Sequence, residues 1–321
     1  FVICAYESSQ TLFFGLIVIW GVFFVYSFFS TNSLFHHNEY KQMILKNVDI
    51  KSVFTKETAP TDESNIRVVT KEMAIKLADK KLGELGAIGS SYDLKEFNIQ
   101  KVQNKLYWVA PLEFKGFFNW LNQKISPAYI MVSATNVSDI KIVDNLNMKY
   151  LETACFFDNL HFFVYLKDMS SLRTDWTFEV DDNLRPYYVI SVYKPTIGIS
   201  GSDIVGVEVF DVQTGDIKYY EKDKVPAWVD RVYPEDMMLE QLKNYGEFIN
   251  GFQWFTAVGK FQPSDKLSLV FDTELNNNWF GTLTSTNDND EAIFGFVLID
   301  SKTKKTKQFS ITGITEDAAM Q

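Results

Sequence analysis

Hydrophobic positions are concentrated at one end of the chain. Residues 12–29 (LFFGLIVIWGVFFVYSFF) carry no charge, and the uncharged window runs from 8 to 35. As a helix rising about 1.5 Å per residue, such a run covers roughly 27 Å, close to the hydrocarbon thickness of a bilayer. Leu12, Phe13, Phe14, Ile17, Ile19, Trp20, Phe23, Phe24, Phe28 and Phe29 leave the run no polar face. We therefore expect residues 1–35 to be a transmembrane anchor. A signal peptide would need a basic start and a small-residue cleavage site. Neither is found around Phe28-Phe29-Ser30-Thr31-Asn32.

Beyond the anchor the pattern changes. Residues 36–67 are polar and turn-rich and read as a stalk. A helix follows over 71–82, with Thr70 as its N-cap, Gly83 as its stop, and Ile75, Ala78 and Leu82 on one face. Alternating or β-branched runs then predict strands over 97–103, 106–114, 128–134, 140–143, 186–193, 205–210 and 217–220. A second helix opens at Pro234 and stops at Gly246, and strands resume over 267–272, 279–284, 293–300 and 307–311. The expected class is α+β, with a transmembrane helix ahead of helix-plus-antiparallel-sheet units.

The pattern also repeats. Gly206-Val207-Glu208-Val209-Phe210-Asp211 aligns with Gly295-Phe296-Val297-Leu298-Ile299-Asp300 at a constant offset of 89, which continues to Thr214/Thr303 and Lys218/Lys307. Upstream, Tyr187-Tyr188-Val189 matches Asn278-Trp279-Phe280 after a two-residue length change. A fainter copy includes Tyr107-Trp108-Val109 and a second segment running from Tyr129 to Asn136. In the middle copy the Asp side chain can bond backbone amides across the turn, and Gly215 permits positive φ. A single three-stranded face with one helix is marginal alone, so adjacent copies should bury one another. We place the units at 68–150, 151–232 and 233–321.

The stretch Val207-Glu208-Val209-Phe210-Asp211-Val212-Gln213-Thr214-Gly215-Asp216-Ile217, following a helix and an aromatic-rich hairpin, resembles the PepSY domain. Lys304 and Asn136 stand where the other two copies would carry that glycine. The resemblance implies a cystatin-like α+β fold, an extracytoplasmic or membrane-bound setting, and roles in protease inhibition or assembly. It brings no catalytic motif.

Charge narrows the partners. There are 31 Lys+Arg against 41 Asp+Glu, net −10, the wrong sign for a phosphate-binding surface, so we expect no nucleic-acid partner. Cys4 and Cys155 cannot build a disulfide framework. No H-E-x-x-H, G-x-S-x-G, Walker or C-x-x-C motif occurs. His36 and His37 sit beside the anchor, and His161 lies in an apolar setting. Gly198-Ile199-Ser200-Gly201-Ser202 reads as a flexible loop, and Asn287-Asp288-Asn289-Asp290-Glu291 as a solvated turn instead of a calcium loop. We expect no catalytic set, cofactor, metal or small-molecule substrate.

Aromatic residues make up 16 % of the chain, and clusters in connections are the better signal for interaction. Phe117, Phe118, Trp120, Trp228, Phe252 and Trp254 are partner contacts if exposed, and seals between units if buried. The expected function is a non-enzymatic, membrane-anchored scaffold or assembly protein of a cell envelope or virion-like particle. Its partners are the bilayer and other proteins or itself. The alternative is a PepSY-type inhibitor of an envelope protease. Lys41 and Lys46 after the run would hold the body in the cytoplasm by a positive-inside count, but long domains translocate regardless of charge, and we expect it outside. The opening at Phe1 and the helix-like run at 315–321 read as the limits of a fragment of a longer polypeptide.

Overall fold

The computed structural model describes residues 2–51, 67–84, 86–253, 255–256, 259–272, 275–286 and 292–314. The class is α+β, with seven α-helices and three sheets among those residues. Leu85, Trp254, the run 287–291 and the segment 315–321 lie outside them, as do residues 52–66 of the expected stalk.

The chain starts with α1 (Val2–Thr31) and α2 (Ser33–Leu45), then a short strand β1 (Val48–Lys51). Asn32 separates the helices in extended conformation, its side chain accepting from the Leu34 N–H at 2.9 Å. The first half of the expected stalk is thus ordered structure. Tyr40 and Ile44, four residues apart, bury one face of α2, and β1 pairs in parallel with a strand more than 250 residues later. Polar composition hid that narrow face, and a four-residue strand has no periodicity to read without its partner.

Next come α3 (Lys71–Gly83), α4 (Ala87–Ser91), β2 (Tyr92–Leu94), β3 (Asn98–Val102), β4 (Lys105–Phe114), α5 (Phe117–Gln123), β5 (Tyr129–Ser133) and β6 (Ile140–Val143). The Thr70 cap is as expected, its hydroxyl accepting from the Met73 N–H. A second group holds α6 (Leu160–Lys167), β7 (Leu172–Val180), β8 (Pro186–Ile197), β9 (Ser200–Asp211) and β10 (Ile217–Glu221). The third holds α7 (Glu235–Glu247), β11 (Phe261–Pro263), β12 (Ser268–Phe271), β13 (Asn277–Ser285), β14 (Ala292–Asp300) and β15 (Thr306–Ile314). Each group makes an antiparallel meander, and β1 extends the third sheet beyond β15.

The meanders share details. The two-residue length change found in the sequence is real in the pairing, since Tyr187 faces Asp211 and Asn278 faces Asp300. Asp211 Oδ1 accepts from the Gln213 and Thr214 N–H groups at 2.9 and 3.1 Å. Asp300 Oδ1 does the same for Lys302 and Thr303 at 2.9 and 2.7 Å. Ser133 Oγ plays that part for Thr135 and Asn136, so the first turn registers one residue later than the sequence match placed it. The first strand is interrupted at a similar place in all three sheets. It is split into β2 and β3, bulged at Asp175 in β7, and split into β11 and β12.

Position Lys304 explains its own departure from glycine. It holds φ 62, and its buried ammonium reaches Asp203 Oδ1 at 2.7 Å, tying the third sheet's turn to β9. The side chain gains an inter-sheet ion pair that glycine could not make, at some cost in backbone conformation.

Three main clusters of side chains join the sheets and helices into one core. α3 covers one face of the first sheet through Ala74 and Ala78 against Trp108 and Ile130. The other face packs on the second sheet through Tyr129, Met131, Phe178, Tyr188 and Phe210, with Leu160 and Val164 of α6 in the same cluster. Beyond it, Val189 and Val207 meet Met238 and Leu242 of α7 and Trp279 and Ile299 of the third sheet. The connection 225–234 runs along this last layer, with Ala227 exposed and Val229, Val232, Tyr233 and Pro234 buried. Its backbone groups are therefore satisfied internally. Lys302 Nζ donates to the carbonyls of Pro226, Ala227 and Val229, Ser191 Oγ to Val232, and Trp279 Nε1 to Tyr233.

Candidate functional site

Three features outside ordinary core packing carry functional weight. The first is α1. Residues Phe13–Thr31 form a helix long and apolar enough to cross a membrane, and none of that stretch is buried. By length and composition it fits a membrane span or a signal sequence. Phe13, Phe14, Ile17, Ile19, Trp20, Phe23, Phe24, Phe28 and Phe29 all face outward, while the side chain of Leu12 lies outside the described set. At its end, Tyr40 Oη donates to the Thr31 carbonyl at 2.8 Å and a His36 ring nitrogen lies 3.0 Å from the Phe29 carbonyl oxygen. His37 lies beside the stacked rings of Phe248 and Phe252. The helix therefore continues into the body with no free spacer.

The second feature is an aromatic patch on α5, the turn 156–158 and α6. Phe118 is 76 % exposed and Phe157 67 %, with Phe117, Phe156, Phe162 and Tyr165 also exposed. Ring contacts join Phe117 to Phe156 and Phe157 to Phe162 at 6.4 and 5.7 Å. Phe156 holds φ 55, a conformation that bulky residues rarely adopt.

Trp254 lies outside the described residues; of the other five aromatic residues singled out in the sequence, Phe117 and Phe118 belong here as exposed surface. Trp120 is 4 % exposed and lies under them, with Lys124 Nζ 3.5 Å from its ring. Trp228 stacks on Tyr187 at 5.1 Å between the second and third sheets, and Phe252 stacks on Phe248. Trp120 is buried, and Trp228 and Phe252 are partly buried. Phe156, Phe157 and Phe162 also belong here; Phe156-Phe157 and Phe162-Phe163 put four rings within eight residues, a signal that the sequence carries.

The third is a cleft of about 610 Å³ where the edge strands β3, β7 and β12 converge. It contains Glu179 and Asp230, 51 residues apart and invisible as a pair to any spacing rule. Glu179 accepts from the Thr177 hydroxyl at 3.0 Å and from the Asp230 N–H at 3.2 Å. Burial pushes its carboxyl up to about 8, and the neighbouring Asp230 carboxylate adds to the rise. Burial likewise raises Asp230 to about 7, against the Lys101 N–H that its oxygen accepts. Arg231 bonds Asp175 at 2.9 Å and lies over the Trp279 ring. Chemically, a neutral carboxyl here is a proton donor, but its oxygens already hold backbone and hydroxyl groups. Among the described residues, no group of three or more His, Cys, Asp or Glu side chains is placed to hold a metal.

His161 packs against Trp176 at 4.2 Å between ring centres, 3.8 Å from Glu152, and burial lowers its pKa. The run from Gly198 to Ser202 is not a loose loop. Ile197 pairs with Ser200 across a tight turn that opens on Gly198 at φ 58.

Comparison with protein-family models, curated proteins and solved structures finds no match to this chain.

Proposed function

We propose that this is a single-pass membrane protein whose body, outside the cytoplasm, is a non-enzymatic scaffold. Three PepSY-like units, at 68–150, 151–232 and 233–321, would present a surface to protein partners in an envelope or a virion-like assembly. The observation carrying this reading is the aromatic patch of α5 and α6 on a body that continues directly from an apolar helix. A soluble monomer rarely leaves so many large rings in one exposed cluster. Holding Phe156 at positive φ costs on the order of 1–3 kcal/mol, a strain expected where surface geometry matters more than stability. Duplication is supported by the shared turn bonds and interrupted first strands. The non-enzymatic reading is supported by the cleft carboxyls, whose oxygens serve the Thr177 hydroxyl and backbone amides.

The test is a double substitution, Phe118→Ser with Phe157→Ser, in the full chain purified in detergent from its own membrane. Both sites are exposed, so stability should stay within about 0.5 kcal/mol of the parent. Cross-linked protein partners, or copies of the chain itself, should be lost. A parent chain that stays monomeric, cross-links to nothing and turns over a substrate would refute the proposal.

A further inference from the structure

The hairpin tip of β8 and β9 comes back to the end of α1. A side chain at Gly198 would collide with the Ser30 carbonyl oxygen at 2.5 Å and with Thr31 at 2.7 Å, so glycine lets the tip seat directly on the helix end. With Gly198 at φ 58 in the first central position, the turn is of the kind that leaves the second position open to any residue. Polar residues are usual at such tips. Here that residue is Ile199, 56 % exposed.

At the same helix end, Phe35 near the start of α2 makes edge-on and tilted ring contacts with Phe28 and Phe29 at 6.4 and 5.2 Å, and all three remain exposed with Leu34. Exposed apolar side chains of the body thus lie at the end of α1: Phe35 against its last rings, and Ile199, 168 positions beyond Thr31 in sequence, next to the glycine seated on it. Asn32 caps the elbow, and Tyr40 bonds back across it. α2 itself is held by Ile197 and Phe248 in one small core. The elbow, hairpin and body therefore move together.

We propose that Ile199 and the Phe28–Phe29–Phe35 cluster form a foot that inserts into the lipid interface, so that the body stands on the bilayer in a fixed orientation. This rests on reading α1 as a membrane span. The occupant is lipid because the Phe28 and Phe29 rings of the cluster belong to the span itself, and Ile199 follows the glycine seated on its last turn. β9 is 12 residues long, so the turn at Thr214, at its far end, stands roughly 36 Å from the tip at 3.3 Å per residue.

The test is lipid contact in vesicles of phosphatidylcholine and phosphatidylglycerol carrying a doxyl quencher near the headgroup. Ile199→Cys and, separately, Thr214→Cys are made in the full chain lacking both native cysteines (Cys4→Ser, Cys155→Ser) and labelled with an environment-sensitive fluorophore. The label at 199 should lose roughly twofold or more of its emission, as expected of a group about 5–10 Å inside the headgroup boundary, while that at 214 is unchanged. Chains that float with vesicles but show no quenching at 199 would overturn the foot and leave the span intact. Equal quenching at both positions would also overturn it, because the body would then lie along the surface. Chains that fail to float would overturn the span reading itself.

Discussion

Replacing Arg173 by Met should destabilise the fold by about 3–5 kcal/mol, the usual cost of leaving one partner of a buried ion pair alone. Arg173 and Glu208 have side chains only 7 % exposed, and two bonds of 2.6 and 3.0 Å join the guanidinium to the carboxylate across β8. The guanidinium also donates to the carbonyls of Asp168 and Ser171, which fixes the loop after α6. Losing it strands a carboxylate beneath that loop. The double variant Arg173→Met/Glu208→Met should recover most of the loss, since no buried charge is left unpaired; the Asp168 carboxylate, 3.4 Å from the guanidinium, is 40 % exposed and stays solvated. Urea denaturation of the detergent-solubilised full chain measures both. A single variant costing less than about 1 kcal/mol would mean that water reaches the pair.

The second large effect is a dependence on pH. Glu179 titrates at about 8 in the folded protein against an ordinary 4.5. Between those values the folded chain holds a proton that the unfolded chain has released, so stability falls as pH rises through that window. A shift of this size corresponds to a loss on the order of 4 kcal/mol when the window is crossed completely. Asp230 and Glu152, each raised to about 7, act in the same direction. Glu179→Gln should flatten the profile and stabilise the protein at pH 8 relative to the parent. The amide can still accept from Asp230 N–H, while its NH2 faces the Thr177 hydroxyl, which donates to the Val189 carbonyl. Denaturation midpoints at pH 5 and pH 8 decide the matter. An unchanged slope in the variant would show that this carboxyl is ionised in the folded state.

Much of the architecture was legible in the sequence because local signals and tertiary context agreed. The capped helix after Thr70, the strand pair around the Asp211 turn and the apolar N-terminal helix each carry their own periodicity, turn chemistry or composition. What escaped notice depends on distant partners. α2 shows only a narrow apolar face, and β1 is a strand because β15 accepts it. α6 reads as a featureless apolar run, since Leu160 and Val164 pack inward while Phe162 and Tyr165 stay exposed. β7 alternates poorly because its bulge at Asp175 changes the facing halfway along. The cleft was out of reach for the same reason: Glu179 and Asp230 meet only when three sheet edges converge. The aromatic clusters were found by composition, but burial divided them, sending Trp120 beneath the patch and Phe118 onto it.

Membrane extraction is the most direct measurement of the central claim. The full chain should stay with the membrane fraction through an alkaline carbonate wash and leave it only with detergent. The chain begun at Asn32 should appear in the soluble fraction. Recovery of the full chain as a folded monomer in buffer, with α1 protected from protease and no lipid or detergent bound, would contradict the account.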